Sequence, residues 1–254
     1  MHTIHALHGF LGLAEDWDPL SAQLMDAALI KHKLFHDRPI EPFWDWARKF
    51  NDAVSTRQCL EPSLPLLMGY SLGGRLAMHA LRDAPTLWKG AILVSCHLGF
   101  QSEQEKRERY ASDCEWGNCF LSEPWDQLMH HWNGREMFSG DSFAFKRFEK
   151  DYMRDLLAKS IETWSLGNQD NMREAISEMS IPILWVAGEN DLSYKARAQT
   201  VTLRNPLSRV WIAPGSGHRV PWEQPDAFLR ELQKFLTDIR THHEVHTAHH
   251  LEYC

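Results

Sequence analysis

The stretch LLMGYSLGGRLAMH, residues 66–79, sets a serine at a corner. The apolar run LPLLMGY (64–70) reads as a buried strand. Leu72, Leu76 and Ala80 then recur at helical spacing as far as Pro85. Between strand and helix stands G-x-S-x-G, from Gly69 to Gly73. A strand that turns at once into a helix forces the middle residue into a strained backbone. Neighbours without a Cβ let the two elements approach. Ser71 should therefore present its hydroxyl above a sheet edge, beside the positive end of a helix.

Other apolar runs share this rhythm: TIHALHGF (3–10), LIKHKLF (29–35), GAILVSC (90–96), IPILWVAG (181–188) and RVWIAPG (209–215). Near-continuous apolar strands separated by helical stretches predict an α/β fold with a mainly parallel sheet flanked by helices. The last helix buries one face through Phe228, Leu232, Phe235, Leu236 and Ile239. The pattern breaks over 99–167, which is rich in charge (SEQEKRERY) and aromatics, with no strand-like run. We read it as a helical cap inserted between the core segments 1–98 and 168–240, with 241–254 a flexible, His-rich tail.

The formal charge of −7 and the lack of a basic run exclude nucleic acid or an anionic membrane as the main partner. A small anionic substrate is compatible, provided arginines are gathered at the site. The five cysteines (Cys59, Cys96, Cys114, Cys119, Cys254) form no CxxC pair, which points to a reducing cytoplasm. The opening MHTIHALHGF lacks the features of a secretory signal, and no run approaches the ~18 apolar residues of a membrane span. His246 and His250 could share a helix face, but no carboxylate or cysteine cluster supports a metal site, so neither metal nor cofactor is expected. A monomer is the expectation for the assembly.

Two further loops complete a constellation. Asp191 follows IPILWVAG in ENDLSY, and His218 follows RVWIAPG in SGHRVPW. Taken singly, one is a turn or cap residue and the other a solvated histidine. Together with Ser71 they stand in the order Ser, Asp, His of α/β-hydrolase triads, each just after a strand. The loop LHGFLG (7–12) follows the first strand. It would supply the Phe10 amide to an oxyanion hole, the second donor being the Leu72 amide.

The combination of HGFLG…EDW, GYSLGGR, SEQEKRERYASD and GENDLSY…GSGH resembles the 2-succinyl-6-hydroxy-2,4-cyclohexadiene-1-carboxylate synthases of menaquinone biosynthesis, over about residues 5–236. These are lyases on the α/β-hydrolase fold. The resemblance implies elimination of pyruvate from 2-succinyl-5-enolpyruvyl-6-hydroxy-3-cyclohexene-1-carboxylate, with the triad acting as general base. It also implies substrate contacts from Arg75, Arg109, Trp132 and Tyr70. Read from the residues alone, Arg75 lies four residues after Ser71 and so shares that face of the elbow helix, or else is a solvated helix arginine; Arg107 offers a second register for Arg109, Trp132 could be cap core, and Tyr70 could simply end a strand. A further cap arginine is implied near LLAKSIETW, where the chain has Lys159, with Arg154 nearby. The alternative on the same triad is a serine carboxylesterase, thioesterase or carbon–carbon bond hydrolase acting on a small anionic substrate.

Overall fold

The computed structural model describes residues 2–36, 40–58 and 64–251, with side chains as far as His242. Cys59, Cys254 and the side chains of His243, His246, His249 and His250 lie outside the described residues. Six strands, β1 (His2–Leu7), β2 (Ala27–His32), β3 (Leu66–Tyr70), β4 (Gly90–Val94), β5 (Ile183–Gly188) and β6 (Arg209–Ala213), form one sheet in the order β2-β1-β3-β4-β5-β6. Every pairing is parallel.

The apolar runs are buried on both faces because successive side chains point to opposite sides. Leu67, Leu93 and Trp185 join the core beneath α2 (Phe43–Gln58) and α3 (Leu72–Asp83). Met68, Ile92 and Leu184 join the opposite core beneath α1 (Asp18–Gln23) and α10 (Pro225–Leu251). Phe228, Leu232, Phe235, Leu236 and Ile239 of α10 are all buried there. The helix does not stop near Arg240. Nothing after Pro225 is Gly or Pro, so no residue breaks it, and the segment expected to be a flexible tail is helical as far as Leu251.

The chain leaves the sheet after β4 and returns at β5. In between run α4 (Glu103–Ser122), α5 (Trp125–Asn133) and α6 (Arg154–Thr163), followed by the short α7 (Arg173–Ser177). Ser102 caps α4 by accepting hydrogen bonds from the Gln104 and Glu105 amides. The insertion is not helical throughout. Between α5 and α6 only two single 3-10 turns form, and the loop through Ser139-Gly140-Asp141-Ser142 descends onto the core. Gly140 is needed there, because a Cβ would lie 2.5 Å from the Asn190 carbonyl. Beyond β5 come α8 (Leu192–Ala198) and, after β6, α9 (Val220–Glu223). Among the described residues no helix is long and apolar enough to cross a membrane.

Buried histidines set a pH limit on this fold. His5 Nδ1 and His32 Nε2 are 2.8 Å apart on neighbouring strands, packed against Phe50 and, for His5, Trp88. Burial lowers both rings to about 4. The unfolded chain binds protons near pH 6.5 that the folded pair refuses, so this contribution is complete above about pH 6.5 and is lost as pH falls toward 4. The urea midpoint should drop between pH 7 and pH 5, and the double variant His5→Leu, His32→Leu should flatten that drop. An equally steep drop in the variant would remove the pair from the account.

Candidate active site

Parallel strands deliver their following loops to one edge, and the candidate residues meet there. Ser71 sits between β3 and α3 at φ 52° and ψ −111°, the strained corner expected of the motif. Its neighbours have no room for side chains. A Cβ on Gly69 would lie 2.4 Å from the Gly73 carbonyl oxygen, and one on Gly73 would lie 2.4 Å from that of Leu7. Gly74 is closed by the Cys96 sulfur, 1.9 Å from such a carbon.

The Ser71 hydroxyl lies 3.1 Å from His218 Nε2, and His218 Nδ1 lies 2.6 Å from Asp191 Oδ2. A carboxylate can only accept, so Nδ1 carries the hydrogen and Nε2 is left to accept from the serine. His218 is fully buried and Asp191 nearly so. Asp191 also caps α8, its Oδ1 accepting from the Tyr194 amide at 3.2 Å, which fixes the carboxylate before it meets the imidazole. The arrangement can draw a proton from Ser71 and hold the resulting imidazolium.

The loop that carries the Phe10 amide is locked by His8. Its Nδ1–H donates to the Gly9 carbonyl at 2.8 Å and its Nε2 accepts from the Leu34 amide at 3.1 Å. Burial lowers this ring to about 4, so it stays neutral. Gly9 lies against the Tyr70 ring, where a Cβ would be 2.8 Å from two ring carbons. The Phe10 and Leu72 amides make no protein hydrogen bond among the described residues. Tyr70 is buried against Trp222, and burial raises its phenol well above the usual range.

Three charged residues that the sequence did not reveal hold the histidine loop. Asp141, from the cap loop, accepts the His218 amide and the Arg219 guanidinium, the latter at 2.8 Å. Arg219 also donates to Asn133 Oδ1 at 2.7 Å and to the Phe143 carbonyl at 2.9 Å. Glu223 accepts from the Gly217 and Arg219 amides at 2.9 and 3.0 Å. Burial, with Glu223 adding to it, pushes the Asp141 carboxyl up to about 7 against the pull of Arg219. Only the Gly-Asp turn in SGDS could have flagged Asp141.

The residues expected to bind substrate are not equally placed. Arg109 lines a cavity of about 350 Å³ together with His97, Arg135, Tyr194 and Arg197. The Tyr194 ring lies 4.6 Å from that of His218, so this cavity reaches the flank of the triad. The Arg109 Nε is 2.9 Å from both oxygens of buried Asp113. Arg75 lies outside that lining. One of its nitrogens donates to the Trp164 carbonyl at 2.8 Å, tying α3 to the cap's return. Burial first, then Arg109, lowers its guanidinium to about 10, so it remains charged at neutral pH. Trp132 and Tyr70 line a smaller cavity of about 30 Å³ with Gly9, Phe10, Phe138 and Arg219. Arg107 lines neither of these cavities. His97 accepts the Gly99 amide on Nδ1, which leaves an Nε2–H donor without a protein acceptor. No cluster of His, Cys, Asp or Glu among the described residues could hold a metal ion.

The family model described as the alpha/beta hydrolase family matches residues 6–231. The chain belongs to that family. A Salmonella typhimurium (strain LT2) protein named 2-succinyl-6-hydroxy-2,4-cyclohexadiene-1-carboxylate synthase is 28% identical over 239 residues, covering 91% of this chain and 92% of its own. A Bacillus subtilis (strain 168) protein, provisionally given the same name, is 29% identical over 249 residues, covering 93% and 91%. Among solved structures, that of MenH from S. aureus superposes with a TM-score of 0.82 at 20% identity, covering 94% of each chain. A thermophilic esterase from Thermogutta terrifontis, malate bound, shares the fold at a TM-score of 0.66 and 18% identity, covering 94% and 90%.

The elbow's tightness gives a direct test. Gly73→Ala places a methyl group against backbone that cannot rotate away, so it should cost about 1–3 kcal/mol in urea unfolding. An unchanged midpoint would show that β3 and α3 are free to part.

Proposed function

We propose that this alpha/beta hydrolase is a lyase. It eliminates pyruvate from 2-succinyl-5-enolpyruvyl-6-hydroxy-3-cyclohexene-1-carboxylate to give 2-succinyl-6-hydroxy-2,4-cyclohexadiene-1-carboxylate. The observation that carries this reading is a connected Ser71–His218–Asp191 chain flanked by a cavity walled with guanidinium groups. A neutral ester needs no such wall, whereas a substrate with several carboxylates in an acidic protein does. The names of the relatives point the same way.

In the reaction, His218 draws the hydroxyl proton of Ser71, and the serine oxygen takes the ring hydrogen α to the succinyl ketone. Asp191 steadies the imidazolium. The carbonyl oxygen becomes an enolate oxygen, which the amides of Phe10 and Leu72 are placed to receive. The electron pair then returns to form the diene while the ring carbon–oxygen bond breaks. Enolpyruvate leaves, takes up a proton and becomes pyruvate. Arg75, Arg109, Tyr70 and Trp132 hold the substrate. No step calls for a cofactor, and one chain supplies every group. We place the reaction in the cytoplasm, which suits the free Cys96, Cys114 and Cys119.

The malate-bound esterase on this fold keeps the hydrolase reading worth separating. The test measures pyruvate release from the enolpyruvyl substrate and hydrolysis of a nitrophenyl ester on one preparation. The lyase reading expects kcat/KM for pyruvate release to be much the higher. An ester value equal to or above it, with a burst of acyl-enzyme, would overturn the reading.

Ser71→Ala should lower pyruvate release by ~10³ or more while leaving the circular dichroism spectrum intact. Retention of more than about a tenth of wild-type turnover would exclude Ser71 as the proton-abstracting group.

A further inference from the structure

Arg107 is exposed; of the cap's other arginines, all but one are committed to partners. Arg147 pairs with buried Asp16 through two hydrogen bonds of 2.8 and 2.5 Å. Arg109 pairs with Asp113. Arg154 donates to the Phe120 and Glu123 carbonyls and to Glu149. The Arg135 guanidinium makes no hydrogen bond and no ion pair among the described residues, although the residue is half-buried. Its guanidinium carbon lies 4.4 Å from the centre of the Trp132 ring and 5.3 Å from that of Trp116. Two indole faces thus flank the cation, and these cation–π contacts leave its five N–H donors free of protein acceptors.

Arg135 lines the same cavity as Arg109, His97 and Arg197. Beside it, Arg109 adds positive charge, and buried Asp113 is already shared between Arg109 and the Ser165 hydroxyl. A half-buried guanidinium that faces a cavity with its N–H donors free of protein acceptors is open to an anionic ligand. Neither residue that the sequence offered for a third carboxylate can serve. Lys159 is 62% exposed and faces Glu162, while Arg154 is committed to main-chain carbonyls.

We propose that Arg135 is a substrate-binding residue that grips a carboxylate in the cavity beside Arg109 and His97, its planar fork held in place by Trp132 and Trp116. The identity of that carboxylate, as one of the three on the enolpyruvyl substrate, rests on the lyase reading. The capture of a carboxylate does not. Arg135 would then join Arg109 on the wall of this cavity as a carboxylate-binding group.

The test uses the full chain, with steady-state pyruvate release and calorimetric binding of succinate as a simple dicarboxylate probe. Arg135→Gln should raise KM roughly tenfold to a hundredfold, leave kcat within about threefold and weaken succinate by a similar factor. Arg135→Lys keeps the charge and the stem but not the fork, so its KM should rise by about threefold to tenfold. It also decides the matter if the glutamine variant folds poorly. Wild-type KM and succinate affinity in the lysine variant and in the folded glutamine variant would overturn the proposal, as would failure of the wild type to bind succinate. A wild type that releases no pyruvate, yet binds succinate more tightly than Arg135→Gln, would sink the lyase reading and leave the carboxylate site standing.

Discussion

Strand β3 and helix α3 meet with no space for one extra carbon, and most of the site follows from that contact. Gly73 faces the main-chain carbonyls of Leu7 and His8, at the end of the neighbouring strand β1. The Leu72 amide is thereby brought beside the loop that carries the Phe10 amide. Two donors from segments sixty residues apart in the chain come to address one region, because adjacent parallel strands end at the same edge. The strain at Ser71 is the cost of this geometry. The ladder of β3 with β1 and β4, and the Ser71 amide bonded to the Val94 carbonyl at 2.9 Å, hold the backbone in it.

The cap is fastened by buried charge rather than by a wide apolar seam alone. Arg147–Asp16 and Arg219–Asp141 both cross from cap to core, and both are almost wholly buried. Such pairs add little net stability over an apolar contact, yet removing one partner strands a charge at a cost of about 3–5 kcal/mol. They therefore fix where the cap sits more than how firmly the chain folds. Asp141 is the clearest instance, since the same carboxylate receives the main-chain amide of His218. A cap residue thus sets the position of the imidazole that serves Ser71.

The sheet and the triad were legible in the sequence because both rest on local patterns. Each strand carried its own apolar run, and each triad member followed one. Asp141, Glu223, Arg219 and Arg135 were not legible, because their roles depend on contacts between distant segments. Asp141 meets Arg219 across 78 residues of chain. Arg135, in HHWNGREMF, has the look of an ordinary surface charge until the Trp116 face arrives from α4. Helical spacing put Arg75 on the face of Ser71. It could not foresee that the cap's return would place the Trp164 carbonyl within reach of the guanidinium.

Three buried histidines show how the partner at one nitrogen decides what an imidazole can do. His8 donates Nδ1–H to a carbonyl and accepts an amide on Nε2, so both nitrogens are consumed and the ring is a fixed strut. His97 accepts an amide on Nδ1, which forbids a proton there. Burial and then Arg197 push it down to about 2, leaving a permanently neutral Nε2–H donor at the cavity wall. His218 alone of the three gives its Nδ1–H to a carboxylate, and a carboxylate is the partner that makes a second proton on the ring affordable in a buried site. The same residue type is strut, donor and, in the proposed reaction, base along one edge of the sheet. What separates the three roles is whether the group facing Nδ1 is a carbonyl, an amide or an anion.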